Sequence, residues 1–151
     1  MSEITFRTAV EADLPAIVAM LADDEIAESR ENASVSDDYT KAFSAMAKEV
    51  YNKMLLAEID GKIVGSLQLV FIPGVSRNGS KRALIESVRV KSSMRGHSVG
   101  TALMKEAIRI AHQNGCKLVQ LDSDLRRPRA HLFYRRLGFV QSHAGFKKDL
   151  T

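Results

Sequence analysis

Residues 83–121 constrain the fold more than any other part of this sequence, because three patterns follow one another there. The first run alternates in hydrophobicity as a strand does, which puts Glu86 and Val88 on one side of it. A glycine-bearing turn then opens an amphipathic helix over roughly 98–114, and residues 117–121 form a second strand-like run. Two strands joined by such a helix lie parallel in one sheet. The sequence therefore predicts a βαβ unit.

The segment before this unit predicts antiparallel strands and two helices. A short strand over 4–7 leads to a helix whose S/T-x-x-E capping box would begin at Thr8. A second amphipathic helix over 39–50 follows, and Asp60 and Gly61 are a strong hairpin signal between two strands. Strands joined by so short a turn run antiparallel.

The segment after the unit predicts a short helix from Pro128 and a tail that adds one or two strands. The resulting order, βααβββαβαβ(β), is typical of an α/β fold with a mixed, mostly antiparallel sheet, a central parallel pair and flanking helices. The chain has 151 residues, of which 45% are hydrophobic. That length is typical of one domain, so we expect a single domain over 1–151.

The sequence shows none of the features of a secreted or membrane-bound protein. Cys116 is its one cysteine, so no internal disulfide can form, and no Cys and His residues have the spacing of a metal site. The first residues lack a basic and apolar leader, and no apolar run approaches the roughly 18 residues that cross a membrane. We expect a cytoplasmic protein that binds neither a membrane nor a metal.

The two parts of the chain carry opposite charge. Residues 1–60 contain 13 acidic and 5 basic residues, whereas residues 61–151 contain 5 acidic and 17 basic residues. The basic part suggests an anionic partner, and the acidic part suggests a neutral or cationic one. Aromatic residues make up only 6% of the chain, and no nucleic-acid-binding module is visible. We therefore do not expect nucleic acid to be the anionic partner.

The turn between the first strand and the helix of the βαβ unit has the character of an anion site. Backbone N–H groups at a helix N-terminus, with the positive end of the helix dipole, favour a phosphate group. Gly96 and Gly100 would let the backbone approach a ligand closely, and Arg95 adds a positive charge. The turn has neither the Lys-Ser/Thr of a P-loop nor the glycine spacing of a dinucleotide-binding turn. By itself it also fits a plain strand-to-helix connection.

A second motif follows the βαβ unit and contains Ala130, Phe133, Tyr134, Gly138 and Phe139. Together with the turn at Arg95, Ser98 and Gly100, it resembles the GNAT superfamily of N-acetyltransferases. The loop of that family reads Q/R-x-x-G-x-G/A, and its late helix reads A-x-x-F/L-Y-x-x-x-G-F. Ser98 departs from this pattern, which usually has glycine there, and a positive φ would strain a serine.

The resemblance implies that acetyl-CoA binds as a co-substrate and that no metal takes part. Backbone amides of the turn and Arg95 would hold the pyrophosphate, and the first strand of the βαβ unit would pair with the pantetheine arm. Arg127 stands where many family members have an asparagine near the pantetheine, and with Arg126 and Arg129 it could meet CoA phosphates. The implied cofactor-binding residues are Val88, Arg89, Val90, Arg95, Gly96, His97, Ser98, Val99, Gly100, Thr101 and Arg127.

The resemblance also implies the reaction, which is acetylation of a primary amine of a small molecule or peptide by direct attack in a ternary complex. Tyr134 would donate a hydrogen bond or proton to the departing sulfur, since a phenol is protonated at neutral pH. A glutamate at the position of Glu86 acts as general base in related enzymes, often through a water. A carboxylate that only orients the substrate is the other interpretation of Glu86.

Two other functions fit parts of the sequence. Residues 96–100 spell G-x-S-x-G, the nucleophile elbow of serine hydrolases, and aspartates and histidines follow Ser98 in the required order. The turn before this motif is too long for a tight elbow, which disfavours a hydrolase. A non-catalytic acetyl-CoA or CoA sensor on the same fold is the second alternative. The presence of both Tyr134 and Glu86 disfavours it.

The acidic part of the chain suggests where the acceptor amine binds. In the family that the sequence resembles, the segment between the first two helices borders the acceptor, and here it contains Asp23, Asp24, Glu25 and Glu28. Their charge would favour a cationic amine, such as a polyamine or an amino sugar. A solubilising surface segment is an equally good interpretation. Dimers are common among such relatives, so a homodimer is one of the assemblies to expect.

Overall fold

The structure is a computed structural model that describes residues 2–24, 26, 31 and 34–151, in two compact units, Met1–Gln120 and Leu121–Thr151. The first unit contains β1 (Ile4–Thr8), α1 (Leu14–Ala22), α2 (Asp37–Ala47), β2 (Asn52–Ile59), β3 (Lys62–Ile72), the one-turn segment α3 (Ser76–Gly79), β4 (Arg82–Val90), α4 (Val99–Gln113) and β5 (Leu118–Gln120). The second unit contains α5 (Pro128–Arg136). Within the described ranges, no helix has the length and apolar character needed to cross a membrane.

The first unit is built on a five-stranded sheet with the strand order β1-β2-β3-β4-β5. The first three neighbouring pairs are antiparallel, and β4 and β5 are parallel. Asp60 and Gly61, with φ of +52° and +74°, form the tight turn between β2 and β3. The predicted α/β fold with a mixed sheet and a βαβ unit is therefore confirmed, with α4 as the crossover helix.

Helices cover both faces of this sheet. On one face, Val99 and Leu103 of α4 are fully buried against β3, where a Cβ added to Gly65 would lie 3.2 Å from Val99 Cγ1. Gly65 therefore allows the helix to approach the strand closely. On the other face, Ile17 of α1 and Leu56 of β2 belong to one buried cluster, against which α2 also packs.

The first helix begins later than the predicted capping box at Thr8. Thr8 belongs to β1, and a 3₁₀ turn separates it from α1, which begins at Leu14. The buried carboxylate of Asp13 accepts hydrogen bonds from the backbone N–H of Val10, at 2.8 Å, and from two guanidinium nitrogens of Arg7, at 2.7 and 2.8 Å. Asp13 therefore both caps the turn and ties it to β1.

We expect Asp13→Asn to lower the free energy of unfolding by about 1–3 kcal/mol at neutral pH, because hydrogen bonds to a charged, buried acceptor are lost. The hydrogen bonds from Arg7, and next from the Val10 N–H, lower the pKa of Asp13 against the opposing effect of burial. A lowered folded-state pKa stabilises the protein above the unfolded pKa of about 3.9, and this contribution disappears as the pH falls below it. Denaturant unfolding of the wild type and Asp13→Asn at pH 7 and pH 3 measures the difference in their free energies of unfolding. If that difference is not smaller at pH 3 than at pH 7, the charged Asp13 carboxylate is not the source of the stability.

Two predictions about the elements are wrong. Helix α2 ends at Ala47 rather than at residue 50, because residues 48–51 form hydrogen-bonded turns that lead into β2. Val50 lies in these turns and is 90% exposed. Residues 140–151 form no strand, and they make no backbone–backbone hydrogen bond with any other residue that the structure describes. A strand needs a hydrogen-bonded neighbour, and the few apolar residues of the tail, among them Phe146, do not alternate regularly and are exposed.

Candidate active site

The connection from β4 to α4 contains two residues in the left-handed conformation. β4 ends at Val90, and a short 3₁₀ turn leads to Gly96 and Ser98, whose φ angles are +83° and +64°. Glycine adopts such angles without steric cost, whereas serine does not. The Ser98 side chain makes no capping hydrogen bond at the start of α4. The departure from glycine at this position is therefore strained, and no cap offsets the strain.

Five backbone N–H groups of this connection are available to an anion. The N–H of His97 donates to the carbonyl of Met94 at 3.3 Å, and the N–H of Ala102 is the first to find an acceptor at the start of α4, the carbonyl of Ser98. Around the start of α4, the N–H groups of Gly96, Ser98, Val99, Gly100 and Thr101 have no backbone acceptor among the described residues. They surround the N-terminus of a helix of 15 residues, whose dipole favours negative charge. The arrangement fits a pyrophosphate group.

We expect Ser98→Gly to raise the free energy of unfolding by about 1 kcal/mol. The left-handed conformation costs a residue with a Cβ atom roughly 1–2 kcal/mol, and the larger unfolded-state entropy of glycine offsets part of the gain. Ser98→Ala keeps the Cβ atom and removes only the hydroxyl, so it is the matched control and should give no gain. Denaturant unfolding of the three proteins measures the effect. Equal stability of the glycine and alanine variants would show that the backbone at this position is not strained.

Strand β4 extends well beyond its parallel neighbour. It pairs with β5 only over Arg82 to Leu84, yet it continues to Val90. Among the described residues, no strand pairs with that edge of β4 over its remaining length. An extended ligand with amide groups can bind to such an edge as an added strand does. This is the edge at which the resemblance places the pantetheine arm.

A β-bulge in β4 changes the side on which its residues lie. Gln68 of β3 pairs with Glu86, and Ser66 pairs with Arg89, so β4 contains one extra residue between the two pairs. Directly paired residues point to the same face of a sheet, so Glu86 and Arg89 share a face. Val88 lies on the opposite face. The prediction that Glu86 and Val88 share a side is therefore wrong.

The face that carries Glu86 is the one covered by α1 and α2. Gln68 pairs with Met54 as well as with Glu86, and Met54 belongs to the buried cluster beneath these helices. A cavity of about 130 Å³ lies between the helices and the sheet and reaches both Gln68 and the bulge residue Ser87, whose φ is +54°. Glu86 precedes Ser87 and is exposed. The bulge therefore presents an accessible carboxylate beside a cavity.

Two ion pairs connect the end of α1 with β4 and with the following connection. Arg89 Nη2 and Asp24 Oδ2 are 3.8 Å apart, and these side chains are only 14% and 13% exposed. Arg95 Nη2 lies 3.9 Å from Asp23 Oδ2 and donates to the Asp23 carbonyl at 3.3 Å. Asp23 and Asp24, two of the four acidic residues expected to attract a cationic amine, are thus paired with arginines in this structure. The other two, Glu25 and Glu28, lie outside the described residues.

The position of the Arg89 side chain was not predicted from the sequence. Unbroken alternation from the buried Ile85 would place Arg89 on the face that α4 covers, where a charged side chain is costly. A charged residue at a predicted buried position is the signal that could have revealed the bulge. The partner, Asp24, could not have been found from spacing, because it is distant in the sequence.

In the second unit, Tyr134 lies on α5 within a small aromatic cluster. Its ring centroid is 5.2 Å from that of Phe133 and 6.0 Å from that of Phe139, with an edge-to-face arrangement in the second pair. The ring is half-buried. Aromatic contacts of this kind fix the orientation of the phenol.

The arginines before α5 are held by Asp124. Its carboxylate accepts hydrogen bonds from the Arg126 guanidinium at 2.7 and 3.0 Å, which hold the pKa of Asp124 well below its usual range. The carbonyl of Asp124 lies 2.9 Å from Nε2 of His131 and also accepts the backbone N–H of Arg127. Asp124 therefore organises this turn, and contact of Arg126 and Arg127 with CoA phosphates stays a prediction.

Comparisons with known proteins identify the class. A family model described as "Acetyltransferase (GNAT) family" matches residues 18–139. Glucosamine 6-phosphate N-acetyltransferase of Trypanosoma brucei brucei is 34% identical over 101 residues, which are 67% of each chain. Aminoalkylphosphonate N-acetyltransferase of Salmonella typhimurium is 39% identical over 66 residues, 44% of this chain and 43% of that protein. A crystal structure described as a transcriptional regulator from Bacillus halodurans C-125 aligns with a TM-score of 0.95 and 41% identity, over 98% of this chain and 100% of the other.

These matches define an acyltransferase, and the two curated relatives just named are N-acetyltransferases by name. The chain belongs to the acetyltransferase (GNAT) family, as the resemblance of its two motifs predicted. Members of this family use acetyl-CoA as the acetyl donor, and its anionic pyrophosphate is compatible with the N–H groups at the start of α4 that have no backbone acceptor among the described residues.

Proposed function

We propose that the chain transfers the acetyl group of acetyl-CoA to a primary amine of a small molecule by direct attack in a ternary complex. The observation that supports this most is the set of five N–H groups at the N-terminus of α4, beside an edge of β4 without a neighbouring strand. A pyrophosphate fits the first feature, and an extended arm that contains amides fits the second. Arg95 supplies a positive charge at the same connection.

The names of the two curated relatives support a small molecule rather than a peptide as the acceptor. One name contains glucosamine 6-phosphate, and the other contains aminoalkylphosphonate. Both compounds combine an amine with a phosphorus-containing acid group. We extend this class of acceptor to the present chain as part of the proposal.

In the proposed reaction, acetyl-CoA supplies a thioester carbonyl that an amine can attack, and residues of the chain handle two protons. Glu86 accepts, directly or through a water, the proton that the amine nitrogen loses as it bonds to the acetyl carbon. Tyr134 donates a proton to the sulfur as the carbon–sulfur bond breaks. Exchange with solvent returns both side chains to their starting states. The backbone N–H groups at the start of α4 balance the charge of the pyrophosphate throughout.

The geometry gives no support to a hydrolase that uses Ser98 as nucleophile. Such a serine needs a base in contact with its hydroxyl. The ring of the adjacent His97 has its Nδ1 3.2 Å from the carbonyl of Arg95, and the hydroxyl of Ser98 has no hydrogen-bond partner among the described residues.

We propose that residues 1–151 form one N-acetyltransferase domain, because the family model matches residues 18–139 and so includes parts of both compact units. The proposed function is therefore tested on the whole chain. Thermal unfolding is followed with increasing acetyl-CoA, and free thiol release is measured with a panel of amines. A ligand at one hundred times its dissociation constant adds about 2.7 kcal/mol of stability. A higher Tm together with amine-dependent thiol release supports the proposal. A higher Tm without release for any amine supports the CoA sensor instead, and an unchanged Tm contradicts both.

A further inference from the structure

We propose that Gln68 binds the amine of the acceptor: its side-chain oxygen, Oε1, accepts a hydrogen bond from the nitrogen that attacks acetyl-CoA, beside Glu86. The inference rests on the proposed function, which it deepens by naming a residue that positions the nucleophile. Two observations carry it. Gln68 lies at one end of a chain of side-chain hydrogen bonds, and it lines the cavity between the helices and the sheet.

Gln68 and Glu86 lie side by side on the face of the sheet beneath α1 and α2. They are direct partners in β3 and β4, and the Cβ atoms of such partners are about 4.5–5.5 Å apart. Gln68 is half-buried and lines the cavity of about 130 Å³, as does Ser87, the residue that follows Glu86. One nitrogen atom beside this pair is therefore within reach of both side chains.

A chain of two hydrogen bonds sets the orientation of the Gln68 amide. Gln68 Nε2 donates to Asn52 Oδ1 at 2.9 Å, and Asn52 Nδ2 donates to Glu49 Oε2 at 3.3 Å. An ionised carboxylate can only accept, so Asn52 turns its NH₂ group towards Glu49 and its oxygen towards Gln68. Gln68 must then turn its own NH₂ group towards Asn52. Its oxygen is left without a hydrogen-bond donor among the described residues.

The cavity makes this oxygen important because most of the cavity lining is apolar. Side chains of α1, α2 and β2 form that lining, among them Ile17, Leu21, Phe43, Met46 and Met54. An N–H group that enters such a place without an acceptor loses its hydrogen bonds to water and gains none, which costs free energy. Among the lining residues that the structure describes, Gln68 alone has a side-chain carbonyl oxygen, whereas Tyr39 and Ser87 have hydroxyl groups.

The Gln68 oxygen has a defined role while the carbon–nitrogen bond forms. At that stage the nitrogen of a primary amine carries two N–H groups and a developing positive charge. Glu86 takes the proton of one N–H group, and Gln68 accepts a hydrogen bond from the other without taking its proton. An acceptor that is already oriented towards developing positive charge lowers the barrier. A secondary amine has only one N–H group at this stage, so the pair of residues favours a primary amine.

The first test replaces Gln68 with methionine, which has a similar length and no carbonyl oxygen. Thiol release from acetyl-CoA is measured with the fastest of three primary amines: glucosamine 6-phosphate, 2-aminoethylphosphonate and ethylamine. We expect Gln68→Met to lower kcat/KM at least tenfold, mainly through kcat, because the hydrogen bond strengthens as charge develops. Gln113→Met, at the exposed last residue of α4, is the matched control and should change neither constant. An unchanged kcat/KM in Gln68→Met overturns the inference.

The second test compares two substitutions of Asn52. Asn52→Asp keeps an oxygen that accepts from Gln68, whereas Asn52→Leu removes it. We expect Asn52→Asp to stay within about threefold of the wild-type kcat and Asn52→Leu to lose at least fivefold. A purely structural role predicts the reverse order, since the aspartate places a second negative charge beside Glu49. A loss in Asn52→Asp as large as that in Asn52→Leu overturns the inference, and this comparison decides if Gln68→Met does not fold.

A double variant tests whether Asn52 acts through Gln68. The kcat of Gln68→Met/Asn52→Leu should equal that of Gln68→Met alone, because an orienting residue has no effect once the oriented oxygen is gone. Losses that multiply would contradict the inference. Glu49→Gln keeps a side-chain oxygen that accepts from Asn52, so it should leave kcat unchanged.

The failure of this inference differs from the failure of the proposed function. Acetyl-CoA should raise the Tm of the wild type, Gln68→Met and both Asn52 variants equally, because Gln68 contacts the amine and not the co-substrate. Thiol release that neither Gln68→Met nor Asn52→Leu lowers overturns the role of Gln68 and leaves the acetyltransferase intact. No thiol release by the wild type with any amine overturns both.

Discussion

Glu86→Gln is expected to lower kcat for amine-dependent thiol release about 100-fold or more. Glutamine has the size of glutamate but cannot accept a proton, and a positioned general base contributes roughly 10²–10⁴ in rate. Glu86 is exposed and lies at the bulge of β4, so the substitution removes no buried contact and the protein should unfold at an unchanged temperature. Initial rates at saturating acetyl-CoA and amine measure the loss.

The kinetic constant that changes distinguishes the two interpretations of Glu86. A general base acts in the transition state, so kcat falls, whereas a carboxylate that only holds the amine changes KM. Glu49→Gln is the control, since Glu49 is an exposed carboxylate in the connection between α2 and β2 and should leave both constants unchanged. The stabilisation by acetyl-CoA should be equal in all three proteins. An unchanged kcat in Glu86→Gln would exclude the base role.

The sheet and its helices could be predicted from the sequence because local signals and burial agree. Three local signals each predicted an element that the structure contains. The alternation over 83–90 predicted β4, the Asp60-Gly61 turn predicted the hairpin of β2 and β3, and the apolar face over 98–114 predicted α4. The start of α1 could not be predicted, because it depends on Asp13 and a partner in β1 rather than on the capping pattern at Thr8. The tail was predicted wrongly because a strand depends on a neighbour that its own sequence does not specify.

The candidate site was predictable only where a motif covers consecutive residues. The connection from Arg95 to Gly100 was found in this way, and the strain foreseen for a serine with positive φ is present at Ser98. The bulge was not found, since one extra residue in a strand reverses all later side chains without changing composition. The pair of Arg89 and Asp24 joins segments that are distant in the sequence, and such pairs come from tertiary packing alone.

Tyr134→Phe is expected to lower kcat about 100-fold or more while the protein stays folded. The substitution removes only the phenolic oxygen, so the ring contacts with Phe133 and Phe139 at 5.2 and 6.0 Å are retained. Without a proton donor, the thiolate must leave as an anion, which raises the barrier for breaking the carbon–sulfur bond. Initial rates of thiol release and thermal unfolding of the same samples measure the two effects.

The control for this substitution is Tyr51→Phe, which removes the hydroxyl of a tyrosine that is 44% exposed and packs against Phe71 in the first unit. It should leave kcat unchanged. Acetyl-CoA should stabilise Tyr134→Phe as much as the wild type, because the donated proton matters only as the bond breaks and not when the co-substrate binds. If kcat of Tyr134→Phe equals that of the wild type, Tyr134 is a packing residue like Phe133, and the thiolate must leave without its help.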